Sequence, residues 1–300
     1  MITPPYLKQG DKIGICASAR KISREEIAPA METLKSWGLE VVVGRHVYKE
    51  SNQFAGVDNE RAEDLQEMFD DSSIKAIIFA RGGYGTIRIV DLLNFDNFKK
   101  SPKWICGYSD ITVLHNHINN LNIETLHSVM LSGFGAEGGE SAVETLRKSL
   151  FGEELKYSFS TDKKDLQKEG KAEGELVGGN LSLIYALTGS VSDLNTDGKI
   201  LFLEDLDEYL YHIDRMMLNL KRSGKLKNLK GLLIGGMTEM KDNTIPFGKT
   251  AEEIVAESVA EYSYPVAYDL PAGHLKDNRA LILGRKVALK VEKSQANLTF

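Results

Sequence analysis

Cysteine is nearly absent. Cys16 and Cys106 are the only two in 300 residues, and both sit in apolar, strand-like runs. Two such residues make no disulfide framework, and buried reduced thiols are the simpler reading. Long apolar runs are missing too: the longest, such as AIIFA and ILFL, are far too short to span a bilayer. The opening MITPPYLKQGDKIGICAS has two prolines and no apolar h-region, so it does not read as a signal peptide. Together these absences predict a cytoplasmic protein. Positive charge is also not in excess. Thirty-seven Lys and Arg face 43 Asp and Glu, a net −6. Nucleic-acid binding needs a basic face that displaces counterions, so the balance argues against it. No polybasic stretch suggests a membrane anchor. What is present is globular composition, 42% hydrophobic and 27% charged, in a chain long enough for one large domain or two ordinary ones.

The first half alternates strand and helix signals. KIGICAS, LEVVVG, IKAIIFA and KWICGY are short apolar runs. REEIAPAMETLKSWG has helical spacing and ends near a glycine, and DNERAEDLQEMFDD opens on Asp58 as a helix cap with acids in its first turn. TIRIVDLLNF and DITVLHNHINNL also read as helices. This βαβα rhythm with doubly buried strands predicts an α/β fold, a doubly wound parallel sheet with helices on both faces. Between Gly152 and Gly174 the chain turns Lys/Glu-rich and loses large apolar residues, the texture of a connector. Beyond it come NLSLIYALTG, KILFLED, a long helix through YHIDRMMLNLKRSG, GLLIGGMT, TAEEIVAESVAEY, a strand PVAYDL and a final alternating stretch that reads as antiparallel strands. The expected organisation is a domain over 1–151, a linker over 152–174 and a smaller β-rich mixed α/β domain over 175–300. No internal repeat is visible.

Ligands of open α/β sheets bind beyond the carboxyl ends of the strands. Three polar strand ends therefore stand out: CASAR (16–20), ARGGYG (80–85) and CGYSD (106–110). Ser109 would open a helix, where free N–H groups and the helix dipole favour developing negative charge. A serine so placed can attack a carbonyl while the next amide binds the oxyanion. The stretch lacks the second glycine of G-x-S-x-G, and taken alone it fits a plain helix cap as well or better. Gly82 and Gly83 offer a second oxyanion amide, or simply a tight turn. Among six histidines, His115 and His117 point to different helix faces and make no metal pair. His46 reads as surface and His212 as structural, while His127 follows a strand near the same cleft. His274, in PAGHLKDNRA, has the setting of a base. FLEDLDE offers Glu204 as an orienting carboxylate, or else an acidic helix start. No histidine or cysteine interleaves with those acids to suggest a metal. The S-x-x-K matches SARK and STDK lack the downstream β-lactamase motifs, and there is no P-loop or dinucleotide fingerprint.

Six stretches in order, LKQGDKIGICASA, ARGGYG, GYSDIT, LVGGNLSL, LFLEDLDEYLYHIDRMM and LPAGH, resemble the LD-carboxypeptidases. That family of serine peptidases includes muramoyltetrapeptide carboxypeptidases and microcin C immunity peptidases, and the resemblance covers nearly the whole chain. It implies a Ser-His-Glu triad split across two domains, with Ser109 as nucleophile, His274 as general base and Glu204 orienting it. The amides of Asp110 and of Gly83 or Gly82 would form the oxyanion hole. It also implies a homodimer, no cofactor and no metal. Tyr209-Leu210-Tyr211 departs from relatives that often carry a proline before the aromatic. The main reading is cleavage of an L-diamino acid–D-alanine amide in a muropeptide tetrapeptide. A terminal carboxylate then needs a cation, for which Arg81 and Arg279 are candidates, and Asn180 is a further candidate substrate contact. The alternative is a peptidase of aminoacyl-nucleotide amides. Residues 189–198 hold no aromatic for base stacking, which favours the muropeptide. A non-catalytic small-molecule binding protein is the alternative from another class.

Overall fold

The structure is a computed structural model that describes residues 1–300. Its first half supplies β1 (Lys12–Cys16), α1 (Arg24–Ser36), β2 (Glu40–Val43), α2 (Asp58–Asp70), β3 (Ile74–Phe79), α3 (Asp96–Lys100), β4 (Trp104–Gly107), α4 (Thr112–Asn120), β5 (Thr125–His127) and α5 (Glu140–Leu150). The second half supplies β6 (Lys156–Ser160), β7 (Gly170–Asn180), α6 (Leu181–Leu187), β8 (Ile200–Leu206), α7 (Leu210–Arg222), β9 (Gly231–Thr238), α8 (Ala251–Ser258), β10 (Val266–Ala267), β11 (Leu281–Leu283), β12 (Lys286–Val291) and β13 (Gln295–Thr299).

Two sheets result. The first has the order β11-β5-β4-β3-β1-β2. β1 to β5 are mutually parallel and β11 joins antiparallel. The order reverses between β1 and β3, which opens a crevice at their carboxyl ends. Ile77, Ile78 and Phe79 in β3 are all fully buried, as strands covered on both faces must be. The second sheet runs β10-β9-β8-β7-β12-β13-β6. β10, β9, β8 and β7 are parallel, and β12, β13 and β6 are antiparallel. Along β12 exposed and buried residues alternate, so one face of that part is wet.

The two halves share a core. One apolar cluster joins Ile15, Ile78 and Trp104 of the first sheet to Phe202, Leu233 and Leu289 of the second. The chain returns from the second half to place β11 beside β5, and Arg285 then pairs with Glu124 at 2.6 Å. Near the cleft, the Asn180 amide donates to Thr112 Oγ1 at 3.1 Å, which ties the end of β7 to the start of α4.

Some local expectations give way. Residues 152–174, Lys/Glu-rich and read as a connector, hold β6 and the start of β7. Their polarity is that of an edge strand with one wet face; only Tyr157 of β6 is fully inward, its hydroxyl donating to the Ala280 carbonyl at 2.6 Å. TIRIVDLLNF forms two 3-10 turns (Thr86–Arg88 and Val90–Leu92). Four β-branched residues in five positions make it a poor α-helix. Asp58 is the first residue inside α2 and not its cap. Val57 occupies the cap position, with the Glu60 side chain reaching back to its amide at 3.0 Å. PVAYDL contributes only the two residues of β10.

Candidate active site

The cleft, of about 560 Å³, lies where the carboxyl ends of the parallel strands in the two sheets face each other. Arg20 follows β1, Arg81 to Tyr84 follow β3, Ser109 follows β4, and Met130 and Ser132 follow β5. Asn180 ends β7 and Asp205 lies at the end of β8.

Ser109 stands at the turn from β4 into a 3-10 turn (Ser109–Ile111) that leads into α4. Its φ is +61°, in the left-handed region where a non-glycine residue costs about 1–3 kcal/mol and persists only because its surroundings enforce it. Such a turn thrusts the hydroxyl outward. The missing second glycine has a local reason. Ile111 stands in that position, and its side chain packs where a β-carbon on Gly107 would be, 2.8 Å from Cγ1. The single glycine before the serine therefore makes room for the residue after it.

His274 lies on the loop after β10, with Nε2 3.1 Å from Ser109 Oγ. Its Nδ1 is 2.6 Å from Glu204 Oε2, which also accepts from the His274 amide at 3.1 Å. With Nδ1 donating to the carboxylate, Nε2 is left as acceptor for the serine hydroxyl. Glu204 is fully buried and sits at a register shift in β8, between Leu203 paired with Ile234 and Asp205 paired with Met237. Such bulges re-aim side chains beside active sites. Here Glu204 turns toward His274 while Asp205 turns to Asn180 Nδ2 (2.9 Å) and the Ser182 amide (2.9 Å).

Electrostatics follow from this packing. Burial works against the charged form of His274. The charge and hydrogen bond of Glu204, with help from Asp205 and Glu239, outweigh it and hold the imidazole above its ordinary value. Burial, then the charge of Glu204, pushes Asp205 up to about 7, and the same two causes push Tyr108 up to about 12. Tyr108 packs on the His274 ring with centroids 4.9 Å apart. His127 is fully buried behind Tyr108, edge-on to it, and burial holds it well below the usual histidine range. His115 Nε2 donates to the Gly107 carbonyl (2.9 Å), and His117 meets Ser192 Oγ (2.9 Å). His46 is half-buried against Asp64 (3.0 Å), and His212 pairs with Glu208 (2.6 Å).

The Asp110 side chain is buried and accepts from the Thr86 amide at 2.7 Å. It thereby pins the ARGGYG turn to the serine turn. The Gly82 and Gly83 amides border the same space and donate to no other backbone group. Arg81 lines the cleft, but Glu26 holds its guanidinium at 2.7 Å. Asn180 also lines it, with Oδ1 capping α6 through the Leu183 amide (3.2 Å). Arg279 lies outside the cleft lining, paired with Asp277 at 2.8 Å. Arg20 and Tyr108 were not singled out by sequence, although both belong to strand ends that were. No three His, Cys, Asp or Glu side chains converge as a metal site would require, and no helix is long and apolar enough to cross a membrane.

This arrangement can deliver a serine hydroxyl to a carbonyl with a base at hand and a glycine turn with unpaired backbone amides lining the same cleft. Known proteins carry the same frame. Residues 13–128 match the LD-carboxypeptidase N-terminal domain and residues 173–289 match the LD-carboxypeptidase C-terminal domain. A "Probable murein peptide carboxypeptidase" of Bacillus subtilis is 35% identical over 98% of this chain and 93% of its own. The crystal structure of muramoyltetrapeptide carboxypeptidase from Oxalobacter formigenes superposes with a TM-score of 0.86 at 28% identity, covering 96% of this chain and 98% of that one. The microcin C7 self immunity protein MccF, in complex with aspartyl sulfamoyl adenosine, has a TM-score of 0.88 at 21% identity, covering 100% and 99%, a likeness of fold alone. The chain belongs to the LD-carboxypeptidase family and is a serine-type hydrolase.

Proposed function

We propose that this enzyme releases the terminal D-alanine from muropeptide tetrapeptides by cutting its amide bond to an L-centred diamino acid, with Ser109, His274 and Glu204 as a catalytic triad. One observation carries the reading: the continuous chain from Ser109 Oγ to His274 Nε2 (3.1 Å) and from His274 Nδ1 to Glu204 Oε2 (2.6 Å), made by residues far apart in sequence. The substrate rests on the relatives named above.

In this mechanism Ser109 Oγ attacks the amide carbonyl as its proton passes to His274 Nε2. Glu204 stabilises the imidazolium that forms. The carbonyl oxygen becomes an oxyanion held by the amides of Asp110 and Gly83, or Gly82, donors of a kind worth about 3–4 kcal/mol each to the transition state. His274 returns the proton to the departing D-alanine nitrogen. Water, activated by the same histidine, then frees the acyl group from Ser109.

The proposal includes a homodimer working in the cytoplasm on recycled wall fragments. Sedimentation at twice the chain mass of 33.3 kDa tests the first part. The substrate test offers a muramoyl tetrapeptide and an aminoacyl sulfamoyl adenosine side by side. Cleavage of the tetrapeptide is expected. Cleavage of the nucleotide conjugate alone would move the enzyme to the other branch of the family.

A further inference from the structure

We propose that Arg20 anchors the substrate's C-terminal carboxylate and thereby makes the cleft select a free chain end. This rests on the peptidase reading above. In a carboxypeptidase only three covalent bonds separate the scissile carbonyl carbon from the terminal carboxylate carbon. The anchor must therefore stand within about one residue's reach of the nucleophile.

Arg20 is so placed. It lies beyond the carboxyl end of β1 and lines the cleft with Gly82, Gly83 and Ser109. Its stem crosses Gly83 so closely that a β-carbon there would lie 2.6 Å from Arg20 Cγ and Cδ and 2.8 Å from Nε. Gly82 in turn borders the nucleophile, where an added β-carbon would lie 3.5 Å from Ser109 Oγ. Guanidinium stem, oxyanion turn and serine thus form one contiguous wall. The backbone beneath is fixed. The Arg20 amide donates to the Gly82 carbonyl (3.4 Å), and the Ala55 amide donates to the neighbouring Ala19 carbonyl (3.0 Å).

Charge pairing singles out the same residue. The other charged side chains lining the cleft are committed. Arg81 pairs with Glu26 (2.7 Å), Asp207 with Lys241 (2.6 Å) and Glu208 with His212 (2.6 Å). Asp205 is buried and accepts from Asn180 Nδ2 and the Ser182 amide. Arg20 alone is exposed with no ion pair and no side-chain hydrogen bond. A guanidinium fork meets a carboxylate with two parallel hydrogen bonds, which a lysine cannot reproduce.

The test compares a muropeptide tetrapeptide ending in free D-alanine with the same peptide ending in D-alanine amide. The wild type should prefer the free acid by about 100-fold in kcat/KM. Arg20→Gln should lower that preference to within about threefold, mainly through a raised KM for the acid, and Arg20→Lys should fall between. A preference that survives Arg20→Gln overturns the assignment, as does its loss in Arg81→Gln instead. If Arg20→Gln does not fold, Arg20→Lys decides, since an unchanged preference there contradicts a fork-shaped anchor. A wild type that cleaves neither peptide would overturn the muropeptide reading itself, an outcome distinct from a wild type that cleaves both equally.

Discussion

Gly273 stands against Glu204 so closely that a β-carbon added to it would lie 2.7 Å from the Glu204 Cβ, Cγ and Oε2 atoms. Its φ of +102° is also one that side-chain-bearing residues rarely adopt. The glycine before His274 is thus what lets the His274 amide and ring both reach one carboxylate oxygen. Gly273→Ala should cost about 1–3 kcal/mol in denaturant unfolding and at least about 10-fold in kcat, since a shift of an ångström can cost that much or more. Wild-type kcat in a folded Gly273→Ala enzyme would contradict the packing argument.

Ser109 holds its left-handed backbone at a cost. Alanine in its place keeps the cost and loses the hydroxyl, whereas glycine removes both. Ser109→Gly should therefore be more stable than Ser109→Ala by about 0.5–1 kcal/mol, the relief of strain exceeding the extra freedom glycine gives the unfolded chain. Both variants should be inactive. Paired urea titrations measure the difference, and a less stable glycine variant would contradict the strain.

In the proposed mechanism the acid limb of the pH–rate profile follows from His274. A base must be neutral to accept the serine proton, so activity is lost as pH falls through the histidine's pKa. That pKa is raised, which places the limb in kcat/KM above the ordinary histidine value of about 6.5. Glu204→Gln removes the charge that outweighs burial. Its limb should move to lower pH while kcat drops by about 10²- to 10⁴-fold. A limb unmoved by Glu204→Gln would mean another group is titrating.

Asp110 separates a positional role from a charged one. Its carboxyl is buried and held above the usual range, burial being the main cause, while one oxygen accepts from the Thr86 amide. Asn keeps an acceptor and sheds the cost of a buried charge. Asp110→Ala should lose about 1–3 kcal/mol through an unsatisfied amide, and Asp110→Asn less than about 1. Equal losses in thermal or urea unfolding would refute the assignment of Thr86 as the partner that matters.

The strands of the first sheet were legible because burial on both faces writes an unbroken apolar run, as in IKAIIFA. Residues 156–160 were not, since an edge strand with one wet face shares its composition with a linker. Glu204 could be suspected from its place at a strand end, yet the bulge that aims it at His274 leaves no mark in the residue order. Ion pairing was the least readable part. The partner of Arg81 is Glu26 on α1, and that of Arg279 is Asp277 two residues away. Arg20, beyond the end of β1, differs from them in lacking such a partner, which residue order does not reveal.

The most direct measurement is D-alanine release from a muramoyl tetrapeptide, followed by mass spectrometry, with wild type and Ser109→Ala side by side. The account predicts release by the wild type and none by Ser109→Ala at equal folded concentration. Release by both enzymes at similar rates would contradict Ser109 as nucleophile, and release by neither would contradict the substrate.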